Sequence, residues 1–233
     1  MTIQLVQSKL KKLANKEKAK ILQGFFKTGP GQYGEGDVFL GITVPVLRKL
    51  SKEHDISLEQ ILVLLSSSFH EERLLALFFL IRLFSNGDTV LRKKIFNSYL
   101  ENTRYINNWD LVDLTAPQIV GAYLADKSRK PLHSLSKSDD LWRRRISIVS
   151  TFRFIKNHDF DDTLQISSKL LNDEHDLIHK AVGWMLREVG KRSLETEERF
   201  LKRCYKKMPR TMLRYAIERF PETKRKKYLN GKM

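Results

Sequence analysis

One recurrence constrains this chain more than any other feature. Arg73, Arg145, Lys180 and Arg214 each lead an apolar run, and they lie 72, 35 and 34 residues apart. These separations are close to two, one and one units of about 35 residues, the period of stacked helical repeats. Apolar helical segments fall near residues 70–84, 108–125, 139–157, 174–190 and 208–220, each preceded by a shorter polar-flanked helix. A helix pair of this size cannot bury its apolar face alone, so successive pairs stack into an α-solenoid of the HEAT or armadillo kind. The expected fold is all-α, a single HEAT-like repeat domain over residues 1–233. Equivalent positions of stacked helices line up, so the four cations are expected to form a stripe on a basic concave face. The competing reading is that they only solvate helix ends.

The rest of the sequence fits helices better than sheets. Gly (11) and Pro (6) make up about 7% of 233 residues, against roughly 12% in average usage. That is too few turn formers for a sandwich, barrel or propeller. Residues 3–27 place Ile3, Leu5, Leu10, Leu13, Ile21, Leu22 and Phe25 at helical spacing, which predicts one or two amphipathic helices. Gly29 to Asp37 is the one glycine-dense stretch and reads as a loop. Thr43 is expected to cap a helix from Val46 to about His54, with Pro45 in its first turn, and Ser57 to cap Leu58–Leu65.

Charge then narrows the partner. With 43 Lys+Arg against 27 Asp+Glu the formal net charge is +16, and from Lys191 to Met233 there are 15 basic and 5 acidic residues. A groove of one sign suits the phosphates of nucleic acid, whose neutralisation releases counterions. A single cysteine, Cys204, excludes a disulfide framework and a cysteine-ligated metal or iron–sulfur site. The longest apolar run, Leu74 to Ile81, is eight residues, far short of the roughly 20 that cross a bilayer. The N-terminus lacks the pattern of a secretory signal. The expectation is a cytosolic monomer that needs neither membrane nor cofactor.

Three constellations could carry chemistry. Trp109 and Asp113 are i and i+4, so a helix puts an indole and a carboxylate on one face. The carboxylate can stabilise positive charge and orient water, and the indole offers an electron-rich face to a sugar or cationic base. Alternatively Asp110 caps the helix, Trp109 fills the core and Asp113 pairs with an arginine. Lys180 and Trp184 repeat the spacing, and Gly183 between them marks a close approach by another helix or a ligand. Trp142 and Arg145 are three apart; for each tryptophan, core filling is the competing reading. Other letter patterns carry less. Gly29-Pro30-Gly31-Gln32-Tyr33-Gly34 spells a dinucleotide fingerprint without the strand such a site needs. His175 and His179 have zinc spacing but no third ligand. Ser66-Ser67-Ser68 has no base at a recognisable spacing. Cys204 sits among Lys and Arg, which would lower its pKa.

Together, Phe39-Leu40-Gly41-Ile42-x-x-Pro45, Trp109-Asp110-x-x-Asp113, Trp142-x-x-Arg145 and Lys180-Ala181-x-Gly183-Trp184-x-Leu186-Arg187-Glu188 resemble the AlkD family of DNA alkylation repair proteins. The resemblance runs from about residue 8 to 222. It implies a HEAT-like solenoid that grips duplex DNA and hydrolyses the N-glycosidic bond of cationic N3- or N7-alkylated purines without flipping the base. Asp113 would be the catalytic carboxylate, Trp109 and Trp184 would cradle the deoxyribose, and Arg145 would hold the backbone. Lys180, Arg73, Arg214, Arg144 and Arg187 would be further DNA-binding cations. Thr43 would face DNA where a Gln can occur in relatives. Two alternatives remain: a non-catalytic duplex-DNA scaffold, and a protein-interaction module for an acidic partner. The long Gly29–Asp37 loop departs from the family pattern.

Overall fold

The computed structural model describes residues 2–233; its regular structure is helical, and among these residues the only strand-like pairing is an isolated bridge between Val38 and Phe69. Contacts divide the chain into two compact units, Met1–Thr115 and Ala116–Met233. The first holds α1 (Ile3–Leu13), α2 (Lys16–Phe25), α3 (Val44–Glu53), α4 (Leu58–Leu65), α5 (His70–Asn86), α6 (Thr89–Glu101) and the short α7 (Trp109–Asp113). The second holds α8 (Lys130–Leu135), α9 (Leu141–Ser150), α10 (Phe152–Ile155), α11 (Asp161–Lys169), α12 (Asp176–Gly190), α13 (Leu194–Cys204), α14 (Arg210–Ala216) and α15 (Glu222–Leu229).

In the first unit α5 is the hub, packing against α3, α4, α6 and α7. It is apolar nearly all round, and every residue from His70 to Leu80 is buried. A helix of that kind must be surrounded. Each fully buried Leu or Phe of the run contributes about 1.5–3 kcal/mol, so Leu75, Leu77 and Phe79 anchor the unit. Local signals set the neighbours' ends. Asn15 caps α2 by accepting from the Lys18 amide, Asp88 caps α6 through the Leu91 amide, and Ser57 with Gln60 forms a reciprocal capping box on α4. Thr43 occupies the N-cap position of α3 but its hydroxyl makes no capping bond.

In the second unit α12 lies between α9 and α14, with α11 and α13 against its flanks. These three helices carry Arg145, Lys180 and Arg214, so the 35-residue recurrence does mark successive stacked helices here. Gly183 is why α12 and α14 can touch: a Cβ at this position would strike the Met212 carbonyl and the Tyr215 Cβ. The close helix approach expected from the sequence is therefore real.

The apolar segment 108–125 departs from expectation. It does not form one helix. α7 stops at Asp113, and a π-helical turn, Pro117–Gly121, follows. Pro117 has no N–H to donate, and the Thr115 hydroxyl takes the Leu111 carbonyl that a longer helix would have used. No helix among the described residues is long and apolar enough to cross a membrane.

Candidate functional site

α7 is five residues long and is held at both ends by side chains. Asn108 caps it, its Oδ1 accepting from the Trp109 amide at 2.8 Å, and its Nδ2 donates to Asp37 Oδ2 at 3.1 Å. At the other end Thr115 Oγ1 shares a 2.9 Å hydrogen bond with the Tyr99 hydroxyl. Leu111 and Val112 face the core. Trp109 and Asp113 remain half-buried, one turn apart. The indole of Trp109 stacks on Phe26, centroids 5.1 Å apart and planes 18° apart, and meets Phe25 edge-on at 5.8 Å. Burial, with the Asp113 charge adding to it, pushes the Tyr99 hydroxyl far above its ordinary pKa despite the Thr115 bond. Tyr99 therefore stays neutral.

Beneath α7 lies a polar cluster buried in the first unit. His70 Nδ1 is 3.0 Å from Asp37 Oδ2, and its Nε2 is 2.8 Å from Asp110 Oδ2. Arg73 Nη2 reaches Asp37 Oδ1 at 2.5 Å, while its Nη1 donates to the Ser67 and Ser68 carbonyls. Burial would lower the His70 pKa, but Asp110 and Asp37 outweigh it and raise it to about 9. Burial would raise the Asp37 carboxyl, but bonds from His70 and Asn108 and the Arg73 charge hold it below its ordinary value. Glu71 binds the Leu40, Gly41 and Ile42 amides at 2.8, 2.8 and 3.1 Å. Gly41 itself has φ +81°, and a Cβ there would strike the Asn15 carbonyl, so Phe39-Leu40-Gly41-Ile42 is a pinned segment that needs glycine. A cavity of about 410 Å³ opens beside the cluster, and its lining includes Phe25, Phe26, Phe39 and Ile42 together with His70 and Asp110.

In the second unit Trp184 is half-buried and tilted against Phe152 at 5.8 Å. Its indole hydrogen-bonds Glu188 one turn on. Burial would raise the Glu188 pKa, but Lys191, Arg192 and Trp184 together hold it below its ordinary value. Glu188 thus orients the indole. Among the described residues no group of three or more His, Cys, Asp or Glu is arranged to hold a metal ion.

Comparison with known proteins places this architecture. The family model of the DNA alkylation repair enzymes matches residues 6–220. The chain belongs to that family. No curated protein matches it. Among solved structures it is similar to a predicted DNA alkylation repair enzyme from Enterococcus faecalis, at 18% identity and a TM-score of 0.68, over 90% of this chain and 97% of that one. That likeness supports the helical fold.

Within this DNA alkylation repair chain, the residues read from sequence fare differently. Arg73 is 4% exposed and ion-paired with Asp37, so it does not offer its charge to a phosphate. Arg145 is 5% exposed, with Nη1 on the Leu177 carbonyl. The expected solvent-facing stripe of four cations therefore loses two members: both arginines sit where helices pack, and each is spent on groups within its own unit. Arg144 is half-buried, bonded to Asp173 and to the Ser138 and Asp139 carbonyls. Arg187 pairs with Glu218, and Lys180 with Asp176 at 2.6 Å. Arg214 and Thr43 are exposed. Trp142 is buried and fills core. Cys204 also reverses expectation: burial outweighs Arg203 and pushes its thiol up to about 11.

His70, Asp37, Asn108 and Glu71 were missed by sequence reasoning. Asp110, offered by the sequence as a helix cap, bonds His70 and the Leu111 amide, and Asn108 is the cap. One signal was available: His-Glu-Glu-Arg opens the longest helix among the described residues, just ahead of the eight-residue apolar run, and charges there must find partners.

Proposed function

We propose that this protein is a monofunctional DNA glycosylase that removes cationic N3- or N7-alkylated purines from duplex DNA without flipping the base. The observation that carries the proposal is the pairing of Asp113 with Trp109. Both are half-buried, one turn apart, on a helix fixed at both ends. The chemistry suits that pair. An alkylated purine already carries positive charge, so it leaves without a general acid. The C1′–N bond breaks, its electron pair goes to the base, and the sugar becomes oxocarbenium-like. Asp113 stabilises that charge and orients the water whose oxygen attacks C1′; the water's proton passes to the carboxylate and then to solvent. Trp109 lays an electron-rich face against the sugar, and Trp184 is assigned the same task in the second unit. The net charge of +16 supplies attraction to the duplex, with Lys180, Arg214, Arg144, Arg187 and Thr43 as contacts. Arg145, 5% exposed with Nη1 on the Leu177 carbonyl, is not among the contacts. No metal or cofactor enters the reaction.

Mass spectrometry of bases freed from methylated duplex DNA tests this. Wild type releases 7-methylguanine or 3-methyladenine, and Asp113→Asn lowers the rate at least 100-fold with its helical circular dichroism unchanged. Full activity in Asp113→Asn removes the carboxylate from the mechanism. Salt-sensitive duplex binding by wild type with no base released makes the protein a scaffold instead.

A further inference from the structure

We propose that His70 is a positioning residue: as an imidazolium clamped between Asp37 and Asp110, it fixes the segment that carries Trp109 and Asp113. The proposal rests on the glycosylase reading for its kinetic consequence, but not for its structural one. Geometry carries it. Both ring nitrogens of His70 face carboxylate oxygens, at 3.0 and 2.8 Å. A neutral imidazole has one N–H and one lone pair, so it would turn a lone pair towards a carboxylate on one side. Only the imidazolium donates to both.

Charge balance agrees. With His70 charged, the cluster of Asp37, Asp110, Arg73 and His70 sums to zero. With His70 neutral, one negative charge is left buried without a partner, which a protein interior tolerates poorly. Asp37 comes from the loop, Asp110 from α7, and Arg73 from its own helix by way of Asp37. Glu71 is occupied by three amides, Glu72 accepts from Gln7, and Lys18 of α2 stands further along the same cavity. The rings against the imidazole are uncharged: Phe39 at 4.5 Å and 22°, and Phe26 at 5.1 Å and 39°.

The clamp reaches the candidate chemistry by two routes. Through Asp110 it holds the backbone of α7 at the residue next to Trp109. Through Phe26, which lies on the imidazole with one contact and on the indole with another, it sets the plane of Trp109. A cation under Phe26 also makes that ring a firmer platform. Asp37 closes the arrangement by binding His70, Arg73 and Asn108 at once. Loss of the proton therefore loosens α7 at its first turn, where Trp109 sits, and leaves the Thr115–Tyr99 end in place.

The first measurement is independent of activity. In the full chain, the ring nitrogens of His70 are expected to give imidazolium NMR shifts at pH 7.5, where a free histidine is neutral; neutral shifts at that pH overturn the proposal. A 5-fluorotryptophan-labelled chain reports on Trp109, whose fluorine resonance is assigned by Trp109→Phe. It should move as pH rises through about 9, and stay fixed in Asp110→Asn, where a neutral His70 can accept from the new amide and keep the geometry. A Trp109 resonance indifferent to His70 ionisation also overturns it. The kinetic measurement is single-turnover base release. His70→Gln should lower the rate constant at least tenfold while duplex affinity changes less than twofold. Asp110→Asn should retain more activity than His70→Gln and lose the alkaline limb of the wild-type pH profile. An unchanged rate constant in His70→Gln refutes the positioning role. If wild type releases no base, the glycosylase reading falls alone, and the two NMR measurements still decide the clamp.

Discussion

The two units differ in one buried acid: Glu188 of the second is bonded by Lys191 and Arg192, as the acids of the first are by their donors, but Glu197 has an oxygen that is not. In the first, the four deeply buried acids among the described residues, Asp37, Glu71, Glu72 and Asp110, all have donors within hydrogen-bond reach. In the second, Glu197 is 2% exposed and its Oε1 has no partner. Burial first, and then the neighbouring Glu198, raise its pKa to about 8 against the pull of Arg187 and Lys224. The same side chain type at the same depth thus ends in opposite states. What decides is the number of donors aimed at it, not burial. A charged network can fix geometry, as around α7; a lone buried acid can only cost stability once it must ionise.

The sharpest way to break this contrast is Asp37→Ala. It strands Arg73 and His70 without their shared carboxylate, and removing one partner of a buried pair costs about 3–5 kcal/mol. Urea unfolding should show a loss of that size or no folded protein; a loss under about 1 kcal/mol, the worth of an exposed pair, would mean the cluster is not what holds the loop to α5.

pH separates the two units next. The folded pKa of His70 is raised, so its contribution is complete below about 6.5 and is lost as pH rises through about 9; the linkage is worth on the order of 3 kcal/mol. Glu197 acts in a lower window. Its unfolded form ionises near 4.5 while the folded form keeps its proton until about 8, so stability falls between those values. Glu197→Gln should flatten the lower decline and stabilise the protein by about 1–2 kcal/mol at pH 8.5. His70→Gln should flatten only the upper one. Thermal melts from pH 5 to 9.5 read both, and a single shared window would erase the distinction. The smallest effect concerns Cys204. With its thiol raised to about 11, it should react with a maleimide at pH 8 at least tenfold more slowly than free cysteine. A fast reaction would restore the reading of an activated thiol.

Much of the fold was legible because it is local. Helical spacing placed α1, α2 and α5. Ser57 announced α4, and Gly183 announced the approach of α14 to α12. The Trp109–Asp113 pair was legible for the same reason, since i and i+4 fix a shared face. Most of the failures are long-range; the break of segment 108–125 at Pro117 and the missing Thr43 cap are local. Nothing in the spacing of Asp37, His70 and Asp110, which are 33 and 40 residues apart, says that they meet. The period placed Arg145 on one of three stacked helices, yet it carries no information on whether that side chain, or Arg73, faces solvent or a neighbouring helix. Cys204 was read from its sequence neighbours, whereas its ionisation depends on what packs over it.

Glu71 gathers the amides of Leu40, Gly41 and Ile42 from a helix that begins about thirty residues later. Those three N–H groups have no earlier element to satisfy them, and a loop of this length closes only after its distant anchor exists. The order of assembly in the first unit should follow from one carboxylate: α5 is expected to form and dock before the Leu40–Ile42 strap ahead of it comes to rest.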